Sequence, residues 1–332
     1  MKVTTPRLTQ NVLTVEGRDG GEPVLFVHGN VSSAAFWRDQ MAALPDGYRP
    51  LAVDLRGFGD TEPAPVDATR GLRDYSDDVL DLVETMDLAP VHLVGWSMGG
   101  GVVMQALRDR PGVVRSVTLV NPVSPYGFGG TEGVDGRITH PDGAGAGAGG
   151  ANPDFVARLQ SGDLSDESPT SPRSVFRSSY VKHPVPDEDF YVRAMLTTRV
   201  GEAHYPGDAV ASDAWPNVAP GKTGVLNTMS PTYFRLDDLP EIDPKPPILW
   251  IRGADDVIVS DTSLFDLAHL GALGVVPGSP GTPAQPMVTQ TRAVLERYGA
   301  YREAVIAECG HSPHLEHPAE FGRLLAAHLG EA

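Results

Sequence analysis

Several features that define whole classes of protein are scarce in this sequence of 332 residues. Its single cysteine, Cys309, excludes an internal disulfide, and the apolar run around it predicts burial rather than reactivity. Basic residues number 26 against 43 acidic ones, and the formal net charge of −17 argues against nucleic acid and anionic membranes as partners. The acidic residues are scattered along the chain, so we interpret this charge as a determinant of solubility.

Long apolar runs and the common cofactor motifs are also missing. No segment approaches the length of a membrane span, and the N-terminal residues contain no apolar run of signal-peptide length. We therefore expect a soluble, cytoplasmic protein. The sequence contains no CxxC, no HExxH and no glycine-rich phosphate loop ending in Lys-Ser/Thr, so it predicts neither a metal site nor a nucleotide cofactor.

Glycine is abundant, with 37 residues, and one glycine-rich stretch organises the chain. Residues 95–100 read GWSMGG; they follow the short apolar segment 91–94 and precede the helix-compatible segment 101–110. A strand, a sharp turn and a helix in this order place Ser97 at a helix N-terminus, where free N–H groups favour negative charge on a bound oxygen. A chain with this many glycines can contain G-x-S-x-G by chance. The interpretation therefore depends on the strand before the motif and the helix after it.

Apolar strand-like segments alternate with amphipathic helix-like segments over the first 120 residues and again near the C-terminus. This pattern predicts an α/β fold, a mostly parallel sheet with helices on both faces. Residues 1–20 are interpreted as an edge hairpin with its turn at 18–21. The segments interpreted as sheet strands are 24–27, 50–54, 91–94, 116–120, 247–251 and 304–308.

The composition changes at about Tyr126. Residues 127–151 contain GAGAGAGG, which is typical of a flexible connection, and the strand pattern is then lost until residue 245. We interpret 126–244 as an inserted, mainly helical and loop-rich cap, and residues 1–125 and 245–332 as the two parts of one core.

Aromatic residues of this predicted cap are candidates for the lining of an apolar substrate pocket. They are Trp215, Tyr233 and Phe234. Ordinary packing is the alternative explanation for each of them.

A serine hydroxyl needs a base to take its proton and a third group to orient that base. His311 follows a predicted strand and a glycine, and Asp256 lies at the end of the strand before it, so both are expected at the same edge of the sheet as Ser97. The chain order Ser97, Asp256, His311 is that of one hydrolase fold. The backbone N–H groups of Asn30 and Met98 are the predicted oxyanion hole.

Five segments together resemble the α/β-hydrolase-fold family, in its branch with an inserted lid. They are VLFVHGN (24–30), VDLRGFGDT (53–61), VGWSMGG (94–100), LWIRGADDVIV (249–259) and CGHSPHLEHP (309–318). The resemblance covers the core, roughly residues 10–125 and 245–330, and does not extend to the lid. The separation of Asp256 and His311 is longer than is usual in the family because of the loop at 271–286.

Neighbouring residues compete for two of the three predicted roles. Asp255 is an alternative to Asp256, but the resemblance favours the position three residues after Gly253. His314 and His317 are alternatives to His311; each adjoins a proline, where a role in helix entry or capping is more ordinary.

The resemblance also narrows the reaction. Haloalkane dehalogenases and epoxide hydrolases of this fold attack with an aspartate, whereas this chain has Ser97 at that position. We therefore expect hydrolysis of a carboxylic ester or lactone of a small molecule through an acyl-enzyme. A C–C bond hydrolase or perhydrolase with the same triad is one alternative, and a small-molecule receptor with little turnover is another.

Overall fold

The computed structural model describes residues 1–332 and centres on one eight-stranded sheet. In chain order the strands are β1 (Lys2–Thr4), β2 (Thr9–Thr14), β3 (Glu22–Val27), β4 (Tyr48–Val53), β5 (Val91–Trp96), β6 (Val114–Val120), β7 (Ile248–Gly253) and β8 (Tyr301–Ile306). Their order across the sheet is β1-β2-β4-β3-β5-β6-β7-β8, and β3 to β8 are mutually parallel. The α/β fold predicted from the sequence is confirmed.

The structure also contains ten α-helices. They are α1 (Arg38–Ala43), α2 (Arg73–Thr85), α3 (Met98–Asp109), α4 (Pro153–Ser161), α5 (Pro172–Val175), α6 (Glu188–Met195), α7 (Leu267–Ala272), α8 (Met287–Tyr298), α9 (Pro313–Glu316) and α10 (Pro318–Glu331). In α2, Val79, Leu82 and Val83 recur at helical spacing and are buried, as the amphipathic pattern of the sequence predicts. None of the helices combines the length and the apolar character that crossing a bilayer requires.

The N-terminal hairpin lies earlier in the chain than predicted. Strands β1 and β2 pair antiparallel, and the turn between them closes where the Thr5 hydroxyl donates to the Leu8 carbonyl at 3.0 Å. The predicted turn at 18–21 instead belongs to the connection from β2 to β3, because β2 pairs antiparallel with β4 and β3 lies on the far side of β4.

Residues 121–247 contribute no strand to the eight-stranded sheet. They contain α4 to α6, a π-helix at Phe176–Tyr180 and two small two-stranded sheets, Thr131–Glu132 with Arg137–Ile138 and Ala209–Ala211 with Val218–Pro220. The division into a core of 1–125 and 245–332 and a cap of 126–244 stays a prediction.

The glycine-rich stretch of this segment is packed, contrary to the flexible connection expected from its composition. Ala144, Ala146 and Ala148 are buried, and the Ala148 N–H donates to the Asn227 side chain at 2.8 Å. Only glycine fits at position 147, because an added Cβ would lie 2.4 Å from the Asn227 Oδ1. The low side-chain volume here permits close packing of the backbone rather than mobility.

Candidate active site

Ser97 occupies the turn between β5 and α3 in a strained conformation, with φ of 58° and ψ of −121°. Such a backbone costs about 1–3 kcal/mol in a residue with a side chain, and it persists only where the surroundings impose it. Here the surroundings are glycines: a Cβ on Gly95 would lie 2.4 Å from the Gly99 carbonyl oxygen, and one on Gly99 would lie 2.4 Å from the His28 carbonyl oxygen. The sequence G-x-S-x-G is therefore what lets the strand and the helix meet at Ser97.

His311 and Asp256, which are 55 residues apart in the chain, are joined by a hydrogen bond of 2.8 Å between Nδ1 and Oδ2. The second carboxylate oxygen of Asp256 accepts the backbone N–H groups of Ile258 at 2.7 Å and Val259 at 3.1 Å. An ionised carboxylate can only accept, so Nδ1 of His311 donates and Nε2 keeps a free lone pair. Nε2 has no hydrogen-bond partner in the protein, and His311 borders the same cavity as Ser97.

Two donors hold the backbone carbonyl of His311. The Trp96 indole N–H donates to this carbonyl at 2.8 Å, and the Asn121 side-chain amide donates to it at 2.9 Å. The Asn121 Oδ1 in turn accepts the N–H of Gly253 at 3.1 Å, so one buried amide connects the loop of His311 to the strand before Asp256. Asn121 was not predicted as a site residue, although it directly follows a predicted strand at the sheet edge where the other candidates lie.

The competing residues have other partners. Asp255 is half-exposed and forms an ion pair with the Lys182 ammonium at 2.9 Å. His317 shares a hydrogen bond of 3.1 Å with the Glu308 carbonyl. His314 is buried against Trp37, with 4.3 Å between ring centroids, neither of its ring nitrogens has a partner, and burial holds its pKa well below the usual range. None of these three side chains borders the cavity.

The predicted oxyanion donors lie on two turns that border the cavity. Met98 is the first residue of α3 and Asn30 lies on the turn after β3; neither backbone N–H donates to an acceptor in the protein. The Tyr180 hydroxyl donates to the Asn30 carbonyl at 3.0 Å, and His28 braces the same turn, with its Nε2 accepting the N–H of Leu55 at 3.0 Å. Two unpaired N–H groups beside a serine are the arrangement that binds a developing oxyanion.

The cavity that these residues border has a volume of about 150 Å³ and is mainly apolar. No aspartate, glutamate, lysine or arginine contributes to its walls. Its apolar lining includes Val123, Phe128, Phe155, Leu226, Met229 and Ile258. Such a site accommodates an uncharged organic group next to Ser97.

The three aromatic residues predicted to line this pocket do not border it. The Trp215 indole donates to the Pro277 carbonyl at 3.0 Å and packs over Gly271. Phe234 is buried, with its ring next to Gly101 of α3, and Tyr233 places its backbone against the turn at Gly71. The rings of Trp215 and Phe234 are used in packing, which was the alternative explanation.

One family model and several solved structures match most of this chain. Residues 22–318 match the family model of the alpha/beta hydrolase fold. An esterase from Exiguobacterium antarcticum is similar in structure, with a TM-score of 0.62 and 17% identity over 99% of this chain and 98% of that one. A serine hydrolase from Cycloclasticus zankles has a TM-score of 0.64 and 18% identity, over 99% of this chain and 97% of that one. At these identities the similarity establishes a shared fold.

Curated relatives that are 30–41% identical align with about a third of the chain. A putative carbamate hydrolase from Variovorax paradoxus is 41% identical over 108 residues, which are 32% of this chain and 40% of that protein. The chain therefore aligns with less than half the length of this relative.

Proposed function

The chain belongs to the α/β-hydrolase family, and from that premise we propose that it is a serine hydrolase acting on a carboxylic ester or lactone of a small organic molecule. The observation that carries the proposal is the hydrogen bond of 2.8 Å between His311 and Asp256, at a cavity whose wall includes the strained Ser97. This arrangement supplies a nucleophile, a base with a free ring nitrogen and a carboxylate that fixes the tautomer of the base.

In the proposed reaction, the Ser97 Oγ attacks the ester carbonyl carbon while the His311 Nε2 takes the hydroxyl proton. The carbonyl oxygen becomes an oxyanion and accepts hydrogen bonds from the N–H groups of Asn30 and Met98. The bond to the leaving oxygen then breaks, and His311 returns the proton to that oxygen. Water, deprotonated by His311, attacks the acyl-enzyme, releases the acid and restores Ser97; with a lactone, the leaving oxygen stays attached to the acyl group.

The walls of the cavity support an uncharged substrate. A buried charge without a partner is costly, and the lining offers no ionised side chain to pair with one. The apolar side chains around Ser97 favour an aliphatic or aromatic acyl group, since each buried methylene group contributes about 0.8 kcal/mol.

Covalent labelling tests the proposal. A fluorophosphonate probe should label the protein rapidly, and Ser97→Ala should abolish the labelling and lower kcat on p-nitrophenyl esters by about 10⁴-fold or more, because the nucleophile is removed. Ser161→Ala, at an exposed serine that ends α4, is the matched control and should be labelled like the unaltered protein.

Other outcomes identify the alternatives. Turnover of a vinylogous diketone but not of esters or lactones would point to a C–C bond hydrolase. A folded protein that neither reacts with the probe nor turns over activated esters would be a receptor, and labelling that persists in Ser97→Ala would assign the nucleophile elsewhere.

A further inference from the structure

The cavity wall contains a phenol hydroxyl that the proposed reaction does not use. Besides Ser97, His311 and Asn30, the polar side chains of the lining are the two tyrosines Tyr180 and Tyr205. The Tyr180 hydroxyl is committed to the Asn30 carbonyl at 3.0 Å. The Tyr205 hydroxyl has no hydrogen-bond partner in the protein, although the side chain is only 6% exposed.

Backbone and ring contacts hold Tyr205 in place. Its N–H donates to the Arg199 carbonyl at 3.1 Å, and its carbonyl accepts the N–H of Gly201 at 2.8 Å. Its ring packs edge-on against Phe155, with 6.4 Å between the centroids, and Phe155 also borders the cavity. The phenol is therefore a fixed part of the wall and not a side chain free to turn into solvent.

The Tyr205 hydroxyl is not fully enclosed, Tyr205 forms part of the cavity wall, and its phenol lies near that of Tyr180 in the same wall. Burial raises the pKa of this phenol, which keeps the group neutral and able to donate a hydrogen bond. An apolar group bound against this donor would leave it unpaired, which disfavours binding.

We propose that the Tyr205 hydroxyl is a substrate-binding subsite that donates a hydrogen bond to a neutral oxygen, of the keto or ether type, in an otherwise apolar acyl group. The inference rests on the proposed function and deepens it, because it adds one required polar atom to the substrate class. A purely aliphatic acyl group would cover the hydroxyl without satisfying it, and a site built around a donor discriminates against ligands that lack the acceptor.

Paired substrates test the subsite. The p-nitrophenyl esters of 4-oxopentanoate, 5-oxohexanoate and 6-oxoheptanoate are compared with those of pentanoate, hexanoate and heptanoate, and the measured quantity is the ratio of kcat/KM within each pair. At least one oxo ester should be preferred by the unaltered protein, and Tyr205→Phe should lower that ratio about fivefold because the donor is lost while the ring remains. Thermal unfolding of the variant verifies that it folds.

Tyr180→Phe is the matched control. It removes a hydroxyl that contacts the turn of Asn30, so it should lower kcat/KM for both members of a pair and leave their ratio unchanged. Ser97-dependent ester turnover with no preference for any oxo ester, or a preference that survives in Tyr205→Phe, would overturn the subsite and leave the proposed function intact. Absence of any Ser97-dependent ester or lactone turnover would instead overturn the proposed function and the subsite with it.

Discussion

At the scale of single residues, the two adjacent acids Asp255 and Asp256 have different environments. Asp256 is buried and has all its contacts directed inward, one oxygen to His311 and the other to two backbone N–H groups. Asp255 points to the surface, where it pairs with Lys182. An exposed pair of this kind contributes little to stability, whereas a carboxylate that fixes the tautomer of a base affects the reaction directly.

We expect Asp256→Asn to lower kcat on an activated ester by about 10⁴-fold, because an amide that donates to His311 stabilises the wrong imidazole tautomer. Asp255→Asn should stay within a few-fold of the unaltered protein. Steady-state kinetics on both variants measure the difference. The reverse pattern, with an active Asp256→Asn and an inactive Asp255→Asn, would mean that Asp255 and not Asp256 orients His311.

Sequence pattern locates the candidate residues that follow sheet strands better than it locates the pocket residues of the segment 121–247. Ser97, Asp256 and His311 each follow a strand, and the carboxyl ends of parallel strands share one edge. Pattern and topology therefore suffice to bring Ser97 and His311 to one cavity and Asp256 within hydrogen-bonding distance of His311. The pocket residues could not be obtained in this way. Whether an aromatic residue such as Trp215 or Tyr205 borders a cavity depends on how irregular loops pack, which has no sequence period.

At the scale of elements, the stretch from Gly143 to Gly150 is part of the cavity wall. Gly145, Ala146, Gly147 and Gly150 all border the cavity. Their composition resembles a linker, but small residues also let a backbone form a wall without filling the space beside it. The volume available to the acyl group therefore depends in part on the small size of the residues in this stretch.

Gly150 is the position where this idea can be tested without straining the backbone. Its φ lies outside the left-handed region, and an added Cβ would contact only Leu267, at 3.6 Å. Gly150→Val should therefore take up cavity space next to Leu267. We expect the ratio of kcat/KM for p-nitrophenyl octanoate to that for the acetate to fall about tenfold, since fewer methylene groups can be buried.

Gly112→Val is the control for this variant. Gly112 is an exposed glycine outside the left-handed region, and an added Cβ would meet nothing within 4 Å. It should leave the octanoate-to-acetate ratio unchanged, because Gly112 does not border the cavity. An unchanged ratio in a folded Gly150→Val protein would mean that this stretch does not limit the acyl group.

At the scale of the whole molecule, we expect the stability of the fold to depend on pH through four buried histidines that are not part of the proposed catalytic triad. They are His28, His92, His314 and His328. Burial lowers the pKa of each of them, since the folded interior disfavours the charged imidazole. A histidine with a lowered pKa binds fewer protons in the folded state than in the unfolded state, where its pKa is about 6.5.

Stability should therefore fall as the pH is lowered below about 6.5, because the unfolded state then gains protons that the folded state does not bind. The loss should continue until the pH reaches the lowered pKa values of the folded state.

His314 provides the sharpest test, because its ring nitrogens have no partner and His311 adds to the cost of protonating it. His314→Phe keeps an aromatic ring against Trp37 and removes one titrating group, so its Tm should decline less between pH 7 and 5.5 than that of the unaltered protein. His183→Gln, at an exposed histidine, should follow the unaltered curve. A Tm that is constant over this range, or an equally steep decline in His314→Phe, would mean that proton uptake by these buried rings does not control acid stability.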